Sequence, residues 1–412
     1  MSTLQSIIRD ISDAAQADAA GDPRAHVNLL QSIHRLTLAA ERPTETVKRL
    51  IYQVGSTLRT KKEPPTNAAL RYAVEVGLVD AISRRGGPVT AKALAKETGV
   101  EELLIVRVMR ALTAMGVCTE WGLHEYCANN VTREVATPGL HAGVIDLFDT
   151  FIPAGAAFVD SVKQIGSRSP QHPNETPFSF AKGKPCFDWM KDNPEQRKYF
   201  DQYMSGRRKE VQGWYDIFPV SEKTYGLLSG PEAALLVDIG GSHGHDMIEF
   251  KKRHPRLPGR LVLQDLPETL QSLPDPLDNI EIMPYNFFDP QPVQGARFYY
   301  FGSICHDWAD EYCIKLLTNT ARAMKRDHST LLIQDHVVPD VGASLRQASL
   351  DLQMMALLAG IERSESQWRD LLDACGLTIS EVWRSENGLD SVIEARLKEE
   401  SESPTKLNGE SS

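Results

Sequence analysis

The stretch Leu235-Leu-Val-Asp-Ile-Gly-Gly-Ser-His-Gly-His245 constrains this chain more than any other. An apolar run ends in an acid, a glycine-dense turn follows, and Asp246 to His254 is amphipathic. A buried strand that feeds a tight turn and a helix N-terminus is how α/β sheets hold a nucleotide-like ligand. Glycine lets the backbone approach such a ligand, which sits beyond the carboxyl end of the strand. Gly240, Gly241 and Gly244 are spaced Gly-Gly-x-x-Gly, not the dinucleotide Gly-x-Gly-x-x-Gly, and no Lys-Ser/Thr pair grips a triphosphate. One βα unit further on, Arg260-Leu-Val-Leu-Gln-Asp-Leu266 ends in another acid, Asp265, at the spacing of a ribose-binding carboxylate. An acid-Gly-Gly turn without a phosphate-binding basic residue suits an adenosine ligand that lacks a pyrophosphate. S-adenosylmethionine (SAM) is such a ligand.

A chain of 412 residues suits two or three domains, and 42% hydrophobic residues are enough for substantial cores. The net charge of −10 argues against nucleic-acid partners, which need a basic surface. No apolar run of about 20 residues and no basic-then-apolar leader is read, so no membrane partner and a cytoplasmic location are expected. The cysteines, Cys118, Cys127, Cys186, Cys305, Cys313 and Cys375, form no Cys-x-x-Cys pair and read as reduced thiols.

Residues 1–60 carry apolar stripes at helical spacing (Leu4, Ile7, Ile8, Ile11; Val47, Leu50, Ile51, Val54) that need a partner surface, and Lys61-Lys-Glu-Pro-Pro65 interrupts them. A helix over 67–87, a Thr-capped helix over 90–99, a third over 101–115 and a hairpin around Trp121-Gly122 make a winged-helix pattern. Its third helix offers only Arg107 and Arg110, so a dimerising use is expected rather than DNA binding. Residues 136–228 are helical and aromatic-rich, suited to a lid or pocket wall. Strands are expected at 234–240, 260–266, 279–285, 296–304, 329–337, 377–385 and 390–397. The last two, joined only through Glu386-Asn-Gly388, should pair antiparallel. The polar tail over 398–412 reads as disordered.

Laid out in this order, several segments resemble the plant- and fungal-type small-molecule O-methyltransferases. They are Asp238-Ile-Gly-Gly241, Leu263-Gln-Asp-Leu-Pro267, Tyr285-Asn-Phe-Phe288, Ile304-Cys-His-Asp-Trp308, Leu331-Leu-Ile-Gln-Asp335 and Glu362-Arg-Ser-Glu-Ser-Gln-Trp368. The resemblance implies an α/β fold: a Rossmann-like seven-stranded SAM-methyltransferase domain over 229–397. A winged-helix dimerisation domain over 1–135 and a lid segment over 136–228 would precede it. It implies a homodimer, with SAM held by Asp238, Gly240, Gly241, Asp265, Leu266, Asn286, Phe287 and Phe288. It also implies His306 as general base, with Glu362 and Asp335 as carboxylates near it. Candidates to contact a small-molecule substrate are His141, Trp189, Tyr203, Met204, Arg207 and Met354. His243 and His245 lack a supporting Cys or carboxylate cluster, and no metal is expected.

Methyl transfer from a sulfonium is an in-line displacement that needs an oxygen nucleophile about 3 Å from the methyl. Deprotonating a phenol near pKa 10 with an ordinary histidine near 6.5 is uphill by roughly 5 kcal/mol, so proton removal has to be coupled to attack. Three positions depart from the family pattern. Ser242 stands for a glycine, Asn286 for an acid, and Gly302 for a basic residue near the cofactor. They keep a second expectation open: a SAM-binding pericyclase or dehydratase of the same fold, in which the sulfonium acts only as a fixed charge.

Overall fold

The computed structural model describes residues 3–20, 23–52, 63–208, 212–224, 230, 232–271, 273, 277–385 and 390–399. The chain forms two compact units, Met1–Pro153 with Phe187–Glu210, and Ala154–Cys186 with Val211–Ser412. The expected lid segment over 136–228 is therefore shared between the two units, and their boundary falls inside the helix Pro138–Gln164. Val54, the Glu386-Asn-Gly388 turn and the tail beyond 399 lie outside the described residues.

In the helical unit the N-terminal stripes lie on helices Thr3–Ala19, Pro23–Ala40 and Pro43–Tyr52, and Ile7 and Val47 are buried. Of the segment expected to interrupt these stripes, Lys61 and Lys62 lie outside the described residues, and Pro64 and Pro65 sit in the first turn of the next helix, Glu63–Glu75, where a missing N–H costs nothing. One expectation is corrected here. The helix expected over 67–87 is two, Glu63–Glu75 and Leu78–Ser83, separated by a turn at Val76-Gly77. Helices Ala91–Thr98 and Glu102–Ala114 follow, the first capped by the Thr90 side chain on the Ala93 amide. Strands β1 (Val89–Thr90), β2 (Cys118–Gly122) and β3 (Glu125–Ala128) pair antiparallel in the order β1-β3-β2 and form the wing. Leu70, Val74, Leu78, Ile82, Ile105, Met109 and Leu112 form one core beneath it.

The helix Pro138–Gln164 is long and apolar enough to cross a membrane by length and composition alone, which the apolar-run reading had not registered. It carries Asp146, Asp149 and Asp160, and the buried Asp146 carboxylate accepts a 3.0 Å hydrogen bond from Gln196 within the helical unit.

The second unit is built on strands β4 (Ala234–Ile239), β5 (Arg260–Asp265), β6 (Glu281–Pro284), β7 (Phe298–Gly302), β8 (Thr330–His336), β9 (Leu377–Arg384) and β10 (Asp390–Leu397). The sheet order is β6-β5-β4-β7-β8-β10-β9, parallel except for β10, which runs antiparallel to both neighbours. All of β4 is buried, as a strand with both faces covered must be. Alternate residues feed two cores. Val237, Ile239, Tyr299, Phe301 and Ile333 pack with Leu316, Leu317 and Leu372, while Leu236, Phe298, Tyr300 and Leu332 pack with Trp214, Phe218 and Phe250. Strand order reverses between β4 and β7, so a ligand crevice is expected beyond their carboxyl ends.

Candidate active site

The glycine turn follows β4 at that switch point. Gly240 adopts φ +76°, and a Cβ there would lie 2.8 Å from Ile304 Cδ1, just beyond β7. A Cβ on Gly241 would come within 2.4 Å of Asp238 Oδ2 and 2.5 Å of Leu263 Cδ1. The turn is thus packed to the limit of what glycine permits. Asp265, ending β5, accepts hydrogen bonds from the Ser242 amide (2.8 Å) and the Leu266 amide (2.7 Å). Both bonds fix the carboxylate beside the glycine turn, where an acid would meet a ribose. The Leu266 side chain is 41% exposed. Asn286 is exposed and its side-chain oxygen caps the Phe288 amide at 3.0 Å, so it shapes its own turn where the family pattern has an acid. Phe287 and Phe288 meet edge to face (4.8 Å) and continue into Trp308, Tyr312 and His172, an aromatic wall suited to a purine. His243 and His245 lie near each other in the turn, with ring centroids 6.2 Å apart.

The Gly302 departure has a packing reason. A Cβ at residue 302 would fall 2.4 Å from the Tyr300 hydroxyl, whose single proton is shared between Gln334 Oε1 (2.7 Å) and Asp246 Oδ2 (3.2 Å). A hydrogen-bonded cluster that includes the Asp246 carboxylate fills the space beside Gly302.

His306 lies in the 3₁₀ turn Cys305–Asp307 after β7 and is buried. Its Nδ1 is 2.9 Å from Glu362 Oε1, and its Nε2 is 3.5 Å from Asp307 Oδ1. Burial alone would lower the imidazole's affinity for a proton. Glu362, Asp307 and Asp335 together outweigh it and raise the pKa to about 10. Burial likewise opposes ionisation of Glu362, but His306 and His336 hold it well below the ordinary carboxylate range. Asp335, on β8, is pushed up to about 7 by burial and by repulsion from Glu362 and Asp307, against the pull of His306. Neither Asp335 oxygen, nor Glu362 Oε2, has a hydrogen-bond partner among the described residues. The cluster is rich in proton affinity and poor in compensation.

Three residues to which the sequence motifs gave no role build this arrangement. Gly360 brings the loop ahead of Glu362 against the His306 turn: a Cβ there would lie 2.1 Å from the His306 carbonyl oxygen, and the Ile361 amide donates to that oxygen at 2.9 Å. Asp351 accepts the Glu362 amide at 2.9 Å. Arg363, fully buried, donates to the Cys305 and Trp308 carbonyls (2.9 and 2.8 Å) and to Asp310 (2.9 and 2.8 Å), clamping the turn from the other side. Glu362 and Arg363 are adjacent in sequence, so one loop fixes both the imidazole and the backbone that carries it. Only the order Gly-x-Glu-Arg hinted at this, and it names no partner.

His306, His336 and Glu362 place ring nitrogens and a carboxylate oxygen within 4.8 Å of one another, a donor set of a kind transition metals use. The nitrogens lie 2.9 and 3.4 Å from Glu362 Oε1, and these contacts are hydrogen bonds within the cluster itself.

The substrate candidates are placed differently. Met354, half-buried on the helix Leu345–Leu358, belongs to the sheet unit. His141, Trp189, Tyr203 and Met204 belong to the helical unit. His141 is half-buried in the first turn of its helix. Trp189 is half-buried, and its carbonyl accepts from Asn193. Tyr203 is 1% exposed and so close to Gly143 that a Cβ there would lie 2.5 Å from its ring, which commits that side chain to helix packing. Met204 packs on the same core. The Arg207 side chain lies outside the described residues.

Comparison with known proteins bears on this geometry. Residues 164–378 match the model of the O-methyltransferase domain, and 66–131 match that of the O-methyltransferase dimerisation domain. The O-methyltransferase mfmE of Annulohypoxylon moriforme is 33% identical over 95% of this chain and 96% of its own length. A structure titled "A Pericyclic Reaction enzyme" covers 96% of this chain and 99% of its own at 28% identity, with a TM-score of 0.77. The structure of LepI in complex with SAM covers the same shares at 27% identity and a TM-score of 0.78. The glycine turn, the Asp265 carboxylate and the buried His306–Glu362 pair thus stand in a chain that belongs to the O-methyltransferase family and carries that family's dimerisation domain.

Proposed function

We propose that this protein is a SAM-dependent O-methyltransferase that methylates a phenolic or enolic oxygen of a polyketide-like fungal metabolite. In this reading it acts in the cytoplasm as a homodimer formed through the dimerisation domain. The observation that carries it is the buried His306 imidazole with Nδ1 2.9 Å from Glu362, which leaves Nε2, 3.5 Å from Asp307 Oδ1, as the nitrogen to exchange a proton with a substrate. The cofactor is SAM, which when bound supplies an electrophilic methyl on a cationic sulfur. Gly240 and Gly241 would leave room for its amino-acid part, Asp265 would accept its ribose hydroxyls, and Phe287 and Phe288 would hold its adenine. His306 Nε2 takes the substrate proton while Glu362 stabilises the imidazolium that forms.

A base with a pKa of about 10 matches a phenol in proton affinity, so the uphill step expected of an ordinary histidine disappears once the base is free. The same value keeps His306 protonated in the resting enzyme at neutral pH. Under this reading kcat/KM rises about tenfold per pH unit across neutrality, because the free enzyme must first lose that proton. The protonated resting state also favours a second reading: a pericyclase or dehydratase in which His306 donates a hydrogen bond to a carbonyl. A likeness to a pericyclic reaction enzyme over 96% of the chain supports it. That activity is flat near neutrality and falls at high pH.

One experiment separates them. The protein is incubated with labelled SAM and candidate phenols, and methylated product and S-adenosylhomocysteine are followed from pH 6 to 9. Label transfer that climbs with pH supports the methyltransferase. Substrate rearrangement without SAM consumption, insensitive to pH, overturns it.

A further inference from the structure

His336, at the end of β8, has a carboxylate beside each ring nitrogen. Its Nδ1 lies 3.4 Å from Glu362 Oε1 and its Nε2 lies 3.3 Å from Asp390 Oδ1. Asp390 reaches this position because β10 pairs antiparallel with β8 and sets Asp390 directly opposite His336. The side chains are largely withdrawn from water, at 11% exposure for His336, 1% for Glu362 and 19% for Asp390. A neutral imidazole has one donor nitrogen and one acceptor. With Glu362 at hydrogen-bond distance from one nitrogen and Asp390 at ion-pair distance from the other, it meets both carboxylates favourably only with a proton on each nitrogen, that is, as the imidazolium. The result is a chain of alternating charge, Asp390, His336, Glu362, His306, closed by the T-shaped approach of the two rings at 6.3 Å.

We propose that His336 is a permanently charged positioning residue, an imidazolium clamped between Glu362 and Asp390 that aims Glu362 at His306 and cancels part of its charge. Glu362 Oε1 is the acceptor common to both imidazoles, so a cation at His336 weakens the hold of Glu362 on the His306 proton. The charged groups bearing on His306 are Glu362, Asp307 and Asp335, and those facing His336 are Glu362, Asp390 and the neighbouring Asp335. As a cation that shares Glu362 Oε1 with His306, His336 opposes protonation of His306. Its kinetic consequence rests on the methyl-transfer reading, but its charge state does not.

The test uses full-length protein labelled with ¹³Cε1-histidine, the two resonances assigned by their loss in His306→Asn and His336→Asn. The His336 signal should keep the imidazolium shift from pH 6 to 8.5. A signal that titrates near the ordinary 6.5 overturns the proposal. This arm needs no turnover, so it stands or falls separately from the assigned reaction. Asp390→Asn removes the outer carboxylate and should let His336 titrate within that range; an unchanged signal also overturns the proposal, and this variant serves if His336→Asn does not fold. In turnover, His336→Asn keeps a donor toward Glu362 but loses the charge. It should displace the rising limb of kcat/KM upward by about one pH unit, roughly a tenfold loss at pH 8, whereas His336→Lys should retain most activity. A purely structural role predicts the opposite order, with the near-isosteric Asn better than Lys.

Discussion

Two buried glutamates of the sheet unit, Glu394 and Glu362, meet burial in opposite ways. Glu394, on β10, is 0% exposed, and both oxygens are served: Lys223 Nζ donates at 3.0 and 2.7 Å, Arg396 at 3.0 Å and the Trp383 indole at 3.2 Å. Burial disfavours its charge, but Lys223, Arg396 and Trp383 hold it below the usual range. Glu362 takes two imidazoles on one oxygen and leaves the other without a partner among the described residues, beside an Asp335 with neither oxygen served. A carboxylate that only holds the fold together is fully compensated, because an unmet buried charge costs several kcal/mol. The cluster around Glu362 leaves part of that cost unmet, and it surfaces as displaced proton affinity at His306 and Asp335. Displacements of this kind gather where protons are moved.

The comparison can be broken first at His306. His306→Ala should lower kcat about a thousandfold while calorimetry finds SAM affinity unchanged; full turnover would remove the base from the mechanism. Glu362→Gln should cost roughly a hundredfold and move the rising pH limb downward, because the anion that raises His306 to about 10 is gone. Glu394→Ala should leave kcat intact and lose about 2–3 kcal/mol in urea unfolding, less than a fully enclosed pair because Lys223 still reaches water. Asp335→Asn gives the smallest effect and the most specific one. The native carboxyl titrates near 7 against 3.8 when unfolded, so ionisation opposes folding increasingly between those values and by a constant amount above them. The variant should gain on the parent across that window, and the pH-independent desolvation of its own amide should offset that gain to a net advantage of about 1 kcal/mol at pH 8. Melting temperatures that run parallel from pH 4 to 8 would remove the displaced carboxyl.

Much of the fold was legible because strand period and turn chemistry are local. All seven sheet strands lie within two residues of their expected bounds, and Asp265 closes β5 beside the glycine turn. The helical breaks were less legible. The stretch 67–87 read as one helix, although the chain turns at Val76-Gly77 between two. Tyr203 read as pocket lining because aromatic residues serve packing and binding equally well, and only its contact with Gly143 shows the packing use.

The sequence by itself determined the alternation of strands and helices, the glycine turn and the presence of His306, Glu362 and Asp335, since these follow from local periodicity and motif order. Tertiary structure decided which of them touch. Glu362 reaches His306 across 56 positions, and His336 meets Asp390 through an antiparallel register. Arg363 finds the carbonyls of a turn contributed by another part of the chain. Hydrogen bonding and burial act through space, and no spacing along the chain encodes whether a carboxylate will have two partners, three or none.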